Sequence, residues 1–433
     1  MPSFAVRNFG CRVNQAEAFA WADAFRERGL RLDEDWGRSD VVVVNSCTLT
    51  GRAERDVRKF IRAVHRENPR TRIVVTGCYA ERAPSEIAAM PGVVSVLPQN
   101  AKAGLADRLI ALEELCGSSE QAGPAAPNVI ADPEGAVDRE TSLRARAYLK
   151  VQDGCEDRCA YCIIPSVRGR SQSVPLGAVA GSVSDLAGRG FREIVLAGIH
   201  LSSYGEDLMP RSSLLGLLGE LGKTAGPPRL RLSSLDPRKT DAPLMAHIAG
   251  NGRICPHLHL SLQHASGRVL RTMGRPVDPG LYGRILDELR RLDPEAALGA
   301  DMMVGFPGET EADFEELRDF VDRTALTYVH VFSYSPRPGT PAASRPRVSA
   351  GIVTERAETL RRVSAMKDFR FRRRFIAREL EAVVIDRSEK GAEVLTGNFI
   401  KVTVPICKAP ERELVRVAIK RVLPRRTEGE IVP

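Results

Sequence analysis

Apolar positions in the first hundred residues follow two alternating rhythms. FAVRNF, VVVVN and RIVVTG are short β-rich runs, and the stretches between them, EAFAWADAFRERG and RAERDVRKFIRAVHREN, carry apolar residues at helical spacing. This strand–helix–strand–helix–strand rhythm predicts a Rossmann-like parallel α/β domain. VVSVLP adds a strand and AKAGLADRLIALEEL a closing helix. From Cys116 to Thr141 the composition turns to Gly, Pro, Ser and acidic residues, as in GSSEQAGPAAPN and ADPEGAVDRET. Such a stretch reads as a linker. The first domain is therefore 1–116 and the linker 117–141.

A second alternating series follows: YLKVQ, REIVLAG, RLRLSSL, HLHLSL, AALGADMMVGF and YVHVFSY, separated by helical stretches such as Pro279 to Leu292 and Glu311 to Arg323. Six β/α repeats predict a partial parallel (β/α)6 barrel over 142–370, with its chemistry at the C-terminal ends of the strands. After the proline-rich RPGTPAASRPR and a basic helix ending in MKDFRFRRRF, the pattern changes to the short strands EAVVID, AEVLTG, IKVTVP and LVRVAIKRV. These predict a small all-β, OB-like barrel over 371–433.

Composition adds limits. A chain of 433 residues with 43% hydrophobic and 27% charged residues is ordinary for a soluble multidomain protein. No apolar run is long enough to span a bilayer, and MPSFAVRNFG lacks the layout of a signal peptide, so the expected compartment is the cytoplasm and no membrane partner is expected. A net charge of +8 permits a polyanionic partner without demanding one. Oligomeric state is not encoded in these patterns. Nine cysteines in a cytosolic chain point to metal, cluster or catalytic roles rather than disulfides.

The strongest chemical signal is DGCEDRCAYC. Cys155, Cys159 and Cys162 form C-x3-C-x2-C directly after the strand YLKVQ. Three thiolates on one tight loop can hold three irons of a 4Fe–4S cube and leave the fourth iron open to a ligand. Structural zinc would need a fourth Cys or His, and none lies nearby. This loop, with Tyr161 before its last cysteine, resembles that of the radical S-adenosylmethionine superfamily. The resemblance implies a 4Fe–4S cluster whose open iron chelates S-adenosylmethionine, and reductive cleavage of that cofactor to a 5′-deoxyadenosyl radical.

Three further cysteines share a position rather than a motif. Cys11 ends FAVRNFGC, Cys47 ends DVVVVNSC and Cys78 ends RIVVTGC. Parallel strands share one C-terminal edge, where open α/β sheets bind ligands, so the three thiols are expected to converge. Each alone would read as a small buried hydrophobe. Together they again offer three thiolates and one open iron.

Two three-cysteine sets on adjacent α/β domains, followed by a small β-barrel, resemble the methylthiotransferases over nearly the whole chain. GCRVNQAE and VVTGCYAER resemble that family's N-terminal domain, and VQDGCEDRCAYCIIPSVRGRSQS its radical loop. LAGIHLSSYG, RLSSLDP, HLHLSLQ, VGFPGETEADF and HVFSYSPRPGTPA resemble its barrel segments. TGNFIKVTVP resembles its nucleic-acid-binding TRAM barrel. The resemblance implies two 4Fe–4S clusters: a radical cluster on Cys155, Cys159 and Cys162, and an auxiliary, sulfur-supplying cluster on Cys11, Cys47 and Cys78. It also implies S-adenosylmethionine as methyl donor and radical source, an external electron donor and a tRNA substrate. GCRVNQ and FSYSPRPGTPA most resemble the branch that methylthiolates C2 of N6-threonylcarbamoyladenosine next to the anticodon. Sister branches act on isopentenyladenosine in tRNA or on an aspartate of a ribosomal protein. An iron–sulfur RNA-binding protein without turnover is the alternative from another class.

Two segments depart from the family pattern. HASG follows LHLSLQ where a Ser-Gly-Ser-like turn is usual, and NSCT stands where Asn-Thr-Cys-Thr is commoner. Neither removes a cluster ligand; His264 bears on the shape of the cofactor pocket. Gly198, at the end of the second barrel strand, matches a place where the backbone approaches the methionyl amine. Ser234 and Gln263 end strands and could face ribose or carboxylate. VGFPGE lacks the Gly-Lys-Ser/Thr ending of a phosphate loop, and Gly305 within it is placed near adenine. Seven Lys or Arg between Arg361 and Arg374, and KRVLPRRTE near the end, suggest a track for an RNA backbone beside the small barrel. Cys116, Cys255 and Cys407 read as structural thiols, and His200, His257, His259 and His264 as core or rim histidines.

Overall fold

The computed structural model describes residues 3–33, 35–109, 145–223, 228–275, 277–388, 391–405 and 413–432. The linker at 117–141, Cys116 and Cys407 lie outside these. The chain forms two compact units, Met1–Ser142 with Ser166–Arg168, and Leu143–Pro165 with Gly169–Pro433.

In the first unit β1 (Ser3–Asn8), β2 (Arg31–Leu32), β3 (Val41–Ser46), β4 (Arg72–Gly77) and β5 (Val93–Val96) form a parallel sheet in the order β2-β1-β3-β4-β5. Alternate strand side chains feed two cores. Phe4, Val6, Val43 and Val74 meet Ala18, Trp21 and Phe25 of the helix Arg12–Glu27. Ala5, Val42, Val44 and Val75 meet Val57, Ile61 and Val64 of the helix Gly51–Glu67. Burial on both faces explains why VVVV carries no polar alternation. The first helix starts five residues before the expected Glu17, with Cys11 at its N-cap. Its first turn, RVNQ, is too polar for apolar periodicity to mark. The expected closing helix is described only over 105–109, after a 3-10 turn at Gln99–Gly104.

The second unit contains β6 (Arg146–Asp153), β7 (Gln172–Ser173), β8 (Glu193–Gly198), β9 (Arg229–Leu232), β10 (His257–Gln263), β11 (Ala297–Val304) and β12 (Tyr328–Ser333). β6, β8 and β9 pair in parallel, as do β10, β11 and β12, and the bridges Leu230↔Ile254 and Leu235↔Leu260 join the two sets. This is the expected partial barrel, with the short antiparallel β7 added on β6. The helices Pro279–Leu292 and Glu311–Arg323 begin at Asp278 and Thr310, whose side chains accept backbone N–H bonds as N-caps.

β13 (Glu379–Ser388), β14 (Gly391–Thr396), β15 (Lys401–Val404), β16 (Leu414–Val422) and β17 (Thr427–Val432) close a barrel in the order β13-β14-β15-β17-β16. The boundary expected between 370 and 371 falls inside the helix Ala350–Arg373, whose Phe371 packs with Phe375, Val394, Val402 and Val417 in the small barrel's core. Beneath this barrel Glu193 accepts from Arg229 and Arg231 at 2.9 Å and faces Arg146 at 2.8 Å. Arg231 also donates to the carbonyls of Thr396 and Gly397, and Arg229 to that of Leu395, each at 3.0 Å. The two barrels are thus pinned by charged groups that are themselves paired and buried.

Candidate functional site

The radical-type cysteines occupy the loop leaving β6. Gly154 opens it at φ +68, and a Cβ there would stand 2.0 Å from the Arg170 carbonyl, so only glycine fits. The loop is then tied down along its length. Cys155 N–H donates to the Gly169 carbonyl at 3.1 Å, Cys162 N–H to that of Cys159 at 3.0 Å, and Ala160 N–H to that of Met273 at 2.8 Å. Asp157 N–H points at the Cys155 sulfur at 3.4 Å.

A cavity of about 160 Å³ is lined by all three cysteines together with Tyr161, Ser234 and Gln263, and also by His200, Asp236, Ser261 and Arg275. Gln263 sits at φ 72, a conformation seldom held by a non-glycine residue without surrounding support. Burial, and next the neighbouring Cys159 sulfur, push the Tyr161 hydroxyl well above its ordinary value. Gly198 and Gly305 are not among the lining residues. Gly198 N–H donates to Ser233 Oγ at 3.2 Å, and Gly305 turns at φ +74 under Val353. His264 is fully buried, and its Nδ1 accepts the Ser266 N–H at 2.9 Å, so it closes the HASG turn and does not line the cavity.

Sequence reasoning missed the charged frame of this cavity. Asp236 accepts from Arg275 at 3.0 Å and from Arg238 at 2.6 Å, and lies 3.4 Å from His200 Nε2. Burial pushes its carboxyl up, but bonds from His200 and the two arginines outweigh that and hold it far below the usual range. Arg275 in turn approaches the Cys159 sulfur at 3.8 Å. LDPR and MGRP carry no spacing that would mark these residues.

In the first unit the sheet register delivers the other three thiols. Ser46 pairs with Gly77, so Cys47 and Cys78 leave adjacent strand ends side by side. Asn8 pairs with Asn45, and Cys11 follows two residues beyond Phe9, whose N–H bonds to the Asn45 carbonyl at 3.0 Å. Gly77, at φ +99, leaves room that a Cβ would fill 2.3 Å from the Ser46 carbonyl. The Cys47 thiol is pushed up to about 12 by burial, then by Cys78, with Cys11 adding to it. Burial raises that of Cys78 as well, opposed by Arg168 and reinforced by Cys11. Cys47 and Cys78 therefore both feel the neighbouring thiols.

In the second unit burial drives Cys162 to about 12 and Cys155 to about 11, with Cys159 adding to both. Such thiols stay protonated until a metal displaces the proton. N–H groups point at sulfur in the first unit too: Leu49 N at Cys47 at 3.5 Å, and Gln99 Nε2 and Arg168 Nε at Cys78 at 3.4 and 3.2 Å. Three neighbouring thiols, two of them with N–H donors on sulfur, fit an iron–sulfur cluster better than isolated core cysteines.

Among the described residues no helix is long and apolar enough to cross a membrane. Two family profiles match the chain: the Uncharacterized protein family UPF0004 over residues 3–98 and the Radical SAM superfamily over 149–321. The chain is 34% identical to the threonylcarbamoyladenosine tRNA methylthiotransferase MtaB of Thermotoga maritima, covering 88% of this chain and 86% of that one. It is 32% identical to the Bacillus subtilis protein of the same name, over 100% and 97%. Identity to the ribosomal protein uS12 methylthiotransferase RimO of a Roseiflexus species is also 32%, over 94% and 90%. Among solved structures, the radical S-adenosylmethionine methyltransferase TsrM from Kitasatospora setae superposes with a TM-score of 0.57 at 16% identity, over 79% of this chain and 75% of that one, a likeness of fold. With its UPF0004 and radical SAM regions and these full-length relatives, the chain belongs to the radical S-adenosylmethionine methylthiotransferases, enzymes that use a 4Fe–4S cluster and S-adenosylmethionine.

Proposed function

We propose that this enzyme methylthiolates C2 of N6-threonylcarbamoyladenosine next to the anticodon of tRNA. Cys155, Cys159 and Cys162 hold the radical cluster in this reading, and Cys11, Cys47 and Cys78 an auxiliary cluster. When bound, S-adenosylmethionine supplies the methyl group and the hydrogen-abstracting radical, the auxiliary cluster supplies sulfur, and an external donor supplies electrons.

The residues of this chain position those groups. Tyr161, Ser234, Ser261 and Gln263 wall the cavity beside the radical cysteines. The Asp236–Arg275 pair fixes one side of it, and the backbone ties of the loop hold the three cysteines along its wall. Gly198 and Gly305 shape the neighbouring strand ends rather than the wall itself.

The observation that carries the reading is the presence of two separate three-thiol sites, each with N–H donors on sulfur. The choice of tRNA is supported by exposed Arg361, Lys401, Arg425 and Arg426 around a cavity of about 450 Å³ between the helix Ala350–Arg373 and the small barrel. The likeness to MtaB proteins supports the threonylcarbamoyl nucleoside. Mass spectrometry of nucleosides from tRNA of a strain lacking the gene tests it. Accumulation of N6-threonylcarbamoyladenosine without its 2-methylthio form is expected; an unchanged profile overturns the assignment. The likeness to RimO favours a second reading, a ribosomal protein aspartate, which the same strain's ribosomal protein masses would report.

A further inference from the structure

Cys78 receives an unusual neighbour. Arg168 belongs to the first unit, and its side chain is 1% exposed. Its Nε donates to the Cys78 sulfur at 3.2 Å, its Nη1 to Glu17 at 3.2 Å, and its Nη2 to the Asn14 side-chain carbonyl. An arginine buried this deeply remains charged and needs its donors satisfied.

The partners are held in turn. Asn14 Nδ2 donates to Asn45 Oδ1 and to the Ser46 carbonyl, both at 3.2 Å, and Asn45 Nδ2 donates to Glu17 at 3.2 Å. Those contacts run to the end of β3, where Cys47 begins. Glu17 also takes Lys102 at 2.6 Å, with both side chains nearly inaccessible. Arg168 and Lys102 thus share one carboxylate close to the sheet-edge thiols. A purely structural ion pair would need no N–H on sulfur.

We infer that Arg168 is a positioning residue of the sheet-edge cysteine site, whose bond to the Cys78 sulfur raises the reduction potential of the cluster held there. This rests on the reading that Cys11, Cys47 and Cys78 hold a cluster. Hydrogen bonds to cluster sulfurs and nearby positive charge favour the reduced, more negative state. The guanidinium serves as both at once, and its fork lets one side chain hold sulfur, carboxylate and amide together.

The test uses the full chain with Cys155, Cys159 and Cys162 all changed to Ala, reconstituted anaerobically with iron and sulfide, so that any remaining cluster is the one in question. Arg168 is then kept, or changed to Lys or to Met. Iron content is measured, and each sample is titrated with reductant while the electron paramagnetic resonance spectrum is followed. The expected result is equal iron in all three, a midpoint shifted to more negative potential with altered g values in Arg168→Met, and a smaller shift in Arg168→Lys. Identical midpoints and g values would overturn the inference. Loss of iron from both variants would overturn it too, assigning Arg168 to packing, whereas loss from Arg168→Met alone would support the charge. Absence of iron with Arg168 intact would overturn the auxiliary-cluster reading itself, and the inference with it.

Discussion

The two cysteine sites differ in how the chain assembles them. In the second unit three thiols lie within eight residues, and one loop must be shaped to turn them inward. In the first unit they are spread from Cys11 to Cys78, and apart from the positive φ of Gly77 they need no specially shaped loop. Parallel register alone brings Ser46 beside Gly77 and Asn8 beside Asn45. The local site therefore depends on turn geometry and backbone ties, and the dispersed site on the integrity of a sheet. Both end with the same device, a buried arginine whose N–H groups approach one sulfur: Arg275 at Cys159 and Arg168 at Cys78.

On the proposed function, the largest effect should separate the sites by the step assigned to each. Cys159→Ala should reduce 5′-deoxyadenosine formation from S-adenosylmethionine and reductant to background. Cys47→Ala should leave that reaction running while abolishing methylthiolated product. Chromatographic assay of both products checks this, and equal loss of 5′-deoxyadenosine in the two variants would erase the distinction.

The charged cluster beneath the small barrel comes next. Glu193→Gln would leave Arg146, Arg229 and Arg231 buried around a neutral amide, at a cost of about 3–5 kcal/mol to the second unit. Calorimetry should show its unfolding at lower temperature. The three arginines outweigh burial and hold the Glu193 carboxyl well below its ordinary 4.5. A depressed value means that the stabilisation is complete above the ordinary value and lost as the pH falls below it. Glu193→Gln should therefore flatten the acid side of the stability profile.

Smaller effects should follow from the two glycines that open the sites. Gly154→Ala and Gly77→Ala each place a methyl against a backbone carbonyl at positive φ, a strain of about 1–3 kcal/mol. Gly154→Ala should lower iron retained by the radical cysteines, and Gly77→Ala that retained by the sheet-edge set. Iron analysis of each, in chains lacking the other three cysteines, would show whether the effects stay with their own sites. The smallest effect is reserved for Cys255. Its thiol is buried against Glu193 at 3.5 Å, in neither set, so Cys255→Ser should hold as much iron as the wild type.

Legibility in the sequence followed the same division. Strand–helix alternation placed the strand ends that Cys11, Cys47 and Cys78 follow, because parallel strands carry their direction in their order. The helices Pro279–Leu292 and Glu311–Arg323 carried caps as well as periodicity. By contrast β17 reads TEGEIV, whose charged alternation hides a barrel strand. RLRL looks half-exposed, yet Arg229 and Arg231 are buried because carbonyls of the small barrel receive them. Arg168 and Asp236 were illegible for a related reason. Apart from Arg238, two positions from Asp236, their partners lie dozens of positions away, and neither motif spacing nor hydrophobic period records such a pairing.

The account rests on there being two cluster sites. The direct measurement is iron and sulfide content of the anaerobically reconstituted chain against its Cys11/Cys47/Cys78 triple alanine variant. Two 4Fe–4S clusters predict about eight irons per chain in the wild type and about four in the variant. Equal iron in both would contradict the account.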